Sequence, residues 1–391
     1  MNILLFDGPE RNHLLPFTFV RPVAHLRIGI DLLIDKWQAF LNSSCSVYTQ
    51  TYLGNKFPAT FETLNTFVNP SFIPTAPLAA AILKLNKNQA IHIQGQLIAC
   101  VCSDNQPPSN LTGFDLMEWE EELLHLKNAT DLFNLNEFVL QQDFMRLTHG
   151  RSSAKIATTN QVISPENIFI DEGATVEHAF LNASKGPIYI GKNVEIMEGS
   201  MLRGSSAFCQ GAVVKMGAKI YGGTTIGPFS KVGGELSNVL ILGYSNKGHD
   251  GFLGNAVIGE WCNIGAATDA SNLKNSYSKL RVWNYETENF ATTDLQFCGL
   301  LMGDFSRCSI HTTFNSATLV GVCANIFGAG FPRTFLPSFS YGGAQGLKTY
   351  TFEKAMEANE AMMERRKISL TVTDRTIFEQ VFQLTAKWRK D

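Results

Sequence analysis

The feature that most constrains this sequence is a recurrence of large apolar residues at every sixth position in its second half. One uninterrupted run contains Ile190, Ile196, Leu202, Phe208, Val214, Ile220, Ile226 and Val232. The template returns at Phe252, Ile258 and Ile264, and again at Met302, Cys308, Phe314, Val320 and Ile326. This period fits neither an α-helix, at about 3.6 residues, nor a strand, at about 2. The chain must therefore bury these side chains in another regular structure.

Most of these apolar residues are followed, four positions later, by a small one. In the long run the small residues are Ser200, Ser206, Ala212, Ala218, Thr224 and Ser230. The pattern predicts a β-solenoid whose flat sides are short strands, each contributing one large side chain to the interior. A β-sandwich is the alternative, but its strands alternate with a period of about two.

The corners and interruptions of this repeat carry further expectations. Gly191, Gly227 and Gly233 each follow an apolar position, where a residue free to adopt positive φ would ease a sharp corner. Residues 236–251 and 267–295 leave the register, so we expect them to form loops or irregular coils that project from the solenoid. Binding and catalytic groups are often found on such excursions.

The first half of the chain has a different rhythm, typical of an α/β layer with some parallel strands. Strands are predicted at residues 2–6, 46–49, 66–68, 90–93 and 97–102, and helices at 23–41, 74–85 and 115–126. A polar stretch at 148–161 predicts a linker. We therefore expect an α/β domain at 1–150, a β-helix at 151–345, and a helical cap over the open end of the solenoid at 346–391.

Composition excludes several classes of protein. The 391 residues carry a net charge of −3 without a basic domain, which argues against a nucleic-acid partner. Apolar runs are too short to cross a membrane, and the N-terminus lacks the features of a secretory signal, so we expect a cytoplasmic protein. The eight cysteines have no CxxC or zinc spacing, and we interpret them as reduced core residues.

Residues 244–254 are the most reactive-looking stretch of the chain. A neutral imidazole at His249 can accept a proton from an amine or hydroxyl that attacks an acyl carbonyl. Asn246 and Lys247 beside it suit an anionic substrate. The alternatives are a loop histidine satisfied by local hydrogen bonds and a zinc site formed by His178, His249 and His311.

Residues 246–266, NKGHDGFLGNAVIGEWCNIGA, resemble the acetyltransferase signature of the bifunctional N-acetylglucosamine-1-phosphate uridylyltransferase/glucosamine-1-phosphate acetyltransferase family. The resemblance implies that His249 is the general base and that acetyl-CoA is the acyl donor. It places Asn263 and Asn272 along the acceptor or donor site and Arg203 on the sugar phosphate. The residues that would line the coenzyme A groove are Ala266 and Ala324.

Residues 5–23, LFDGPERNHLLPFTFVRPV, resemble the opening motif of sugar nucleotidyltransferases. In this resemblance Arg11, Thr18 and Arg21 bind a nucleoside triphosphate with Mg2+, although no metal ligand is identified. The two resemblances together imply a nucleotidyltransferase-like α/β domain before a left-handed parallel β-helix of hexapeptide repeats, followed by C-terminal helices. They also imply a homotrimer.

Departures from the two motifs leave two functions open. Pro9 and Glu10 replace flexible residues in the phosphate loop, Phe252 replaces a tyrosine, and glycines 233 and 234 stand where a lysine is expected. The first hypothesis is a sugar-phosphate transferase of sugar-nucleotide biosynthesis, acting as nucleotidyltransferase, acetyltransferase or both, towards UDP-N-acetylglucosamine or a related sugar nucleotide. The second is a non-catalytic sugar-nucleotide-binding or scaffold protein that retains the β-helix.

Overall fold

In the computed structural model, which describes residues 1–389, the chain begins with a six-stranded mixed sheet and its helices. Strands β1 to β6 are Asn2–Phe6, Cys45–Tyr48, Asn65–Val68, Gln89–Ile93, Gln96–Cys102 and Asp115–Glu118. Helices α1 to α5 are Glu10–His13, Leu33–Leu41, Ala76–Ile82, Asp131–Asn134 and Asn136–Thr148. The sheet order is β2-β1-β3-β5-β4-β6, with β1 parallel to β2 and β3.

The five predicted strands of this region are confirmed, but one predicted helix is wrong. Residues 115–118 form β6, an edge strand that pairs parallel with β4. All four residues of β6 are exposed. An edge strand without a buried face has no alternating pattern to distinguish it from a helix. The predicted helix at 23–41 is shorter, since only Leu33–Leu41 is α-helical.

The second half is a parallel β-helix with three sides, here called A, B and C. Side A contains β7 Gln161–Ile163, β10 Phe180–Asn182, β13 Met201–Arg203, β16 Lys219–Ile220, β23 Asp269–Ala270 and β28 Thr313–Phe314. Side B contains β8 Ile168–Ile170, β11 Ile188–Ile190, β14 Ser206–Phe208, β17 Thr224–Ile226, β26 Leu301–Met302, β29 Leu319–Val320 and β31 Phe335–Leu336. Two long strands, β19 Glu235–Gly243 and β21 Phe252–Glu260, run along side A and continue onto side B.

Side C completes each coil. Its strands are β9 Thr175–Val176, β12 Glu195–Ile196, β15 Val213–Val214, β18 Lys231–Val232, β20 Asn246–Lys247, β22 Asn263–Ile264, β27 Arg307–Cys308, β30 Asn325–Ile326 and β32 Ser340–Gly343. The last of these pairs antiparallel with β33 Gly346–Thr349. On side B, Ile188 pairs with Ser206 and Ser206 with Thr224, so a regular coil takes 18 residues, or three hexads. The predicted fold class is confirmed.

The glycines that follow apolar positions have a different role from the one predicted. Gly191, Gly227 and Gly233 do not adopt positive φ. A Cβ on Gly191 would instead lie 3.0 Å from the carbonyl oxygen of Phe208 in the next coil, and one on Gly233 would lie 2.8 Å from that of Gly248. These positions require glycine because neighbouring coils approach closely. The left-handed residues follow them, at Asn193 and Phe229 two positions later and at Gly234 one position later.

The two predicted interruptions of the repeat differ from each other. The prediction that residues 236–251 project from the solenoid is largely wrong, because Leu236 and Ile241 of β19 point inward and are fully buried. Leu253, not Phe252, is the inward residue of the following strand. The stretch 267–295 is only partly a projection, because Asp269–Ala270 is strand β23 of side A with Ala270 buried in the interior. The later part projects as an antiparallel hairpin of β24 Arg281–Asn284 and β25 Asn289–Thr292.

The N-terminal region packs against side B of the β-helix. One hydrophobic cluster contains Phe17 and Phe133 from the first half of the chain and Leu240, Val257 and Leu319 from side B. Asn136 donates a hydrogen bond to the Gly223 carbonyl at 2.8 Å, and Thr225 donates one to the Gly29 carbonyl at 2.8 Å. Side B is therefore covered by protein.

Two C-terminal helices, α6 Phe352–Glu364 and α7 Val372–Leu384, lie along the corner between sides B and C. From the sequence, Thr373 and Asp374 are the expected cap of the second helix, but the N-cap of α7 is Thr371, two residues earlier, which forms a capping box with Asp374. The helices do not lie across the open end of the solenoid, where β33 pairs with the last coil. The last two residues of the segment 346–391 lie outside the described part. In residues 1–389 no helix is long and apolar enough to span a membrane.

Candidate functional site

The outward positions of side C form a continuous polar row beside His249. Lys231 pairs in register with Asn246, Asn246 with Asn263, and Asn263 with Arg307. Neighbouring parallel strands lie about 4.8 Å apart, so these side chains form one ladder. His249 is exposed at the next corner, between sides C and A. The structure therefore brings Asn246 and Asn263 together and places His249 at their edge.

Lys247 lies behind this row, in the interior of the β-helix. It occupies the inward position that Val232 fills in the coil before it and Ile264 in the coil after it, and it is 1% exposed. Its Nζ donates hydrogen bonds to the backbone carbonyls of His249 at 2.5 Å and Asp250 at 3.1 Å. Burial lowers the pKa of this ammonium group. The predicted substrate contact of Lys247 is thus corrected, because the side chain holds the histidine turn from inside.

Most other residues implied by the acetyltransferase resemblance lie on different faces. Arg203 is exposed on side A, in a shallow depression with Phe180 and Tyr221. Asn272 is half-buried and donates to the Asn255 side-chain oxygen at 2.8 Å. Within one chain, Arg203 and Asn272 do not join the row on side C.

The two alanines expected to line an acyl-donor groove also differ in exposure. Ala266 is half-buried and follows β22 at the corner that carries His249. Ala324 is fully buried, and its amide donates to the Ser306 hydroxyl at 2.9 Å. Ala266 is therefore positioned to contact a ligand at this corner, whereas the side chain of Ala324 is enclosed in the coil.

In the N-terminal domain, the loop after β1 holds its charged groups in internal contacts. The Asp7 carboxylate is 3% exposed and accepts hydrogen bonds from the Thr49 hydroxyl at 2.5 Å and the Val23 amide at 2.8 Å. It also pairs with Arg11 Nε at 3.2 Å. Burial raises the pKa of Asp7, and these partners only partly oppose the effect. The contacts of this carboxylate are therefore internal ones that stabilise the loop.

Glu10 anchors a second buried polar group beside the same loop. Its carboxylate lies 2.8 Å from His125 Nε2 and 3.2 Å from Asn69 Nδ2, and it also accepts from Gln96. The His125 ring stacks on Phe72 with centroids 3.9 Å apart. Burial favours the neutral acid, but the hydrogen bond from His125 and the other partners outweigh it and lower the pKa of Glu10.

The three residues predicted to bind a nucleotide lie inside the protein. Arg11 donates to the Thr18 carbonyl and the Tyr52 hydroxyl, both at 2.8 Å, and the Thr18 hydroxyl donates back to the Arg11 carbonyl at 2.7 Å. Arg21 pairs with Asp304 at 2.7 Å and Glu260 at 3.1 Å on the β-helix. Their nucleotide-binding role stays a prediction, and the contacts observed are structural. No group of three or more histidine, cysteine or carboxylate side chains suited to a metal occurs in residues 1–389, so no magnesium ligands are assigned.

A basic cleft over side C was not predicted from the sequence. Helix α6 lies above the polar row, and a cleft of about 410 Å³ separates them. It is lined from the β-helix by Lys231, Asn246, Asn263 and Arg307, and from the helix side by Ala358, Ala361, Met362, Arg365 and Arg366. The repeat register in the sequence could have identified the four lining residues of the β-helix, because each directly precedes a residue that points inward. Nothing in the sequence shows that the arginines after α6 face them.

The N-terminal region is similar to a known family. Residues 3–152 match the family model described as Sugar nucleotidyl transferase. This range begins in β1 and ends just after α5, so it includes the loop with Asp7 and Glu10. No curated protein is significantly similar to the chain in sequence.

Several solved structures are similar to the chain at low identity. A UDP-N-acetylglucosamine acyltransferase from Campylobacter jejuni is 14% identical, with 60% of this chain and 83% of that chain covered and a TM-score of 0.28. The polySia-specific acetyltransferase NeuO is 12% identical, covering 49% and 82% with a TM-score of 0.27. The Arabidopsis UDP-N-acetylglucosamine acyltransferase is 16% identical, covering 59% and 92% with a TM-score of 0.22. At such low TM-scores these similarities carry no argument about function.

Proposed function

We propose that this chain is a transferase of sugar-nucleotide biosynthesis whose β-helix transfers an acyl group from a coenzyme A thioester to an amino sugar phosphate. The observation that carries the proposal is the exposed His249 on a turn fixed from inside by Lys247, beside the amides of Asn246 and Asn263. The family-model match of residues 3–152 supports a sugar-nucleotide context. UDP-N-acetylglucosamine or a related sugar nucleotide would be the end product.

In this reaction His249 acts as general base. Its imidazole accepts a proton from the substrate amine as the nitrogen attacks the thioester carbonyl. The new N–C bond forms and the C–S bond breaks, so the thiolate leaves and takes up a proton. The half-buried Ala266 at the same corner would lie beside the acyl donor.

The test is release of free thiol from acetyl-CoA with a panel of amino sugar phosphates. We expect His249→Ala to lower kcat by about 10²- to 10⁴-fold, because general base catalysis contributes that much. His178→Ala removes another exposed histidine of the β-helix and should leave the rate unchanged. Equal thiol release by wild type and His249→Ala would contradict the proposed role.

The N-terminal domain carries the second part of the proposal, uridylyl transfer to a sugar 1-phosphate with Mg2+. The family-model match supports it, whereas the internal contacts of Asp7, Arg11 and Arg21 favour the other candidate function, a non-catalytic nucleotide-binding or scaffold domain. With UTP, magnesium and hexose 1-phosphates we expect release of pyrophosphate. A protein that releases thiol in the first assay but no pyrophosphate with any sugar would have a non-catalytic N-terminal domain.

We further infer a cytoplasmic homotrimer of chains with three units, at 1–150, 151–345 and 346–391. Side A supports an assembly of several copies, because Phe180, Met201 and Tyr221 are each at least 40% exposed on it. Large exposed apolar patches are typical of protein interfaces. In such an assembly Arg203 of a neighbouring copy would be available to complete the site.

A further inference from the structure

The cleft between side C and the C-terminal segment concentrates positive charge without compensation. Lys231 and Arg307 face it from the β-helix, and Arg365 and Arg366 face it from the end of α6. No aspartate or glutamate lines it. In residues 1–389 none of these four cations has a carboxylate within ion-pair distance, although several other arginines of the chain do. Four adjacent like charges repel one another unless a ligand neutralises them.

Two of the four guanidinium and ammonium groups are held in fixed positions. Arg366 Nη1 donates to the Phe229 carbonyl at 2.5 Å, and its Nη2 donates to the Asn246 side-chain oxygen at 3.1 Å. Its guanidinium also lies 6.0 Å from the Tyr244 ring centroid. Arg307 donates to the Asn359 side-chain oxygen of α6 at 2.7 Å. These contacts use neutral acceptors and leave the positive charge of both groups in place.

The remaining polar groups of the cleft fit a phosphate. Arg365 and Lys231 are exposed and able to move onto a ligand, and Asn263 is exposed between Asn246 and Arg307. Arginine forks bind phosphate oxygens in pairs, and lysine adds a point charge. A volume of about 410 Å³ exceeds what one phosphate needs. Ala358, Ala361 and Met362 give the helix side an apolar surface for the rest of the molecule.

We propose that this cleft binds the diphosphate group of a nucleotide-type ligand, held between the row on side C and the arginines at the end of α6. The binding site itself follows from the charge and shape of the cleft, and only the choice of nucleotide probes rests on the proposed function. A sugar nucleotide and coenzyme A both carry a diphosphate. Helix α6 thereby forms one wall of a binding site.

The experiment is isothermal titration of the full-length protein with inorganic pyrophosphate, UDP and coenzyme A in separate arms. We expect binding in at least the pyrophosphate arm, weakening as salt rises from about 50 to about 200 mM because charge dominates the contact. Tighter binding of UDP than of coenzyme A, or the reverse, identifies which source the cleft takes. Arg365→Gln/Arg366→Gln should weaken the affinity by about tenfold or more.

Three further variants extend the test and control it. Lys231→Gln changes an exposed side chain on the opposite wall, does not disturb packing, and should weaken binding by at least about threefold. The matched control Lys155→Gln/Lys185→Gln removes two exposed charges outside the cleft and should bind like wild type. His249→Ala should also bind pyrophosphate normally, which separates this site from the proposed acyl transfer. Absence of binding in all arms, or unchanged binding by both cleft variants, would overturn the proposal.

Discussion

At the scale of single residues, the direction in which a side chain leaves its coil decides its role. Asn246 and Lys247 are neighbours in sequence, yet one faces the basic cleft and the other the interior. Lys247 occupies an inward position that apolar side chains fill in the neighbouring coils. Its Nζ donates hydrogen bonds to two backbone carbonyls. Burying an ammonium group costs free energy. We explain the lysine at this position by its hydrogen bonds to the turn that carries His249.

The cost of burying Lys247 predicts a pH-dependent stability. Because its pKa is lowered in the folded protein, the unfolded chain binds more protons between that lowered value and about 10.4, and the free energy of unfolding rises with pH in this window. Lys247→Met removes this contribution. At pH 7 we expect the variant to lie within roughly 2 kcal/mol of wild type, because relief from charge burial opposes the loss of donors to two carbonyls.

Urea unfolding at about pH 7 and about pH 10 measures the effect, because the higher pH lies near the top of this window. Relative to Lys247→Met, the wild type should gain stability at the higher pH. Lys219→Met, a change at an exposed lysine of side A, should keep the wild-type dependence. An identical pH dependence in wild type and Lys247→Met would show that the buried ammonium is not responsible.

At the scale of elements, the length of each coil decides what the corners present. The coil from Val232 to Lys247 is shorter than the regular 18 residues, so the sequence pattern lost its register there. Corner residues Phe229, Tyr244 and Trp261 all have positive φ, and their rings stack with centroids 5.3 and 4.5 Å apart. Such stacking contributes about 0.5–1.5 kcal/mol per pair, which offsets part of the strain of about 1–3 kcal/mol for each bulky residue in a left-handed conformation.

At the scale of the whole molecule, one hydrophobic cluster joins the three parts of the chain. Residues of the N-terminal domain, side B and helices α6 and α7 belong to a single hydrophobic cluster. Within this contact Arg21 pairs with Asp304, which is fully buried, and with Glu260. Burial raises the pKa of Asp304 in spite of the neighbouring guanidinium. The ion pair therefore links the stability of both halves.

Removing one partner of this pair should destabilise the protein strongly. Arg21→Met leaves the Asp304 carboxylate buried and unpaired, so we expect a loss of about 3–5 kcal/mol in the free energy of unfolding at pH 7. The loss should shrink as the pH is lowered towards about 5, because a carboxyl group with a raised folded pKa binds a proton more readily when folded. Denaturant unfolding at the two pH values measures both effects.

Two variants control for the loss of a side chain as such. Arg21→Met/Asp304→Asn has no buried charge at these two positions, and the amide oxygen of the introduced asparagine can still accept from the Glu260 backbone N–H, so it should be more stable than Arg21→Met alone. Lys192→Met breaks an exposed pair with Glu172 and should change stability by roughly 1 kcal/mol or less. A double variant as unstable as the single one would show that packing, not charge, causes the loss.

The sequence by itself determined the β-helix, the strands of the first sheet apart from its exposed edge, and a polar corner around His249. A strict period forces each sixth side chain inward, and that requirement is local to the chain. Only the tertiary structure decided that Lys247 turns inside, that Arg21 pairs with Asp304 across 283 positions, and that Arg365 and Arg366 face side C. Those outcomes depend on the length of one coil and on packing between distant segments, which no repeat in the sequence encodes.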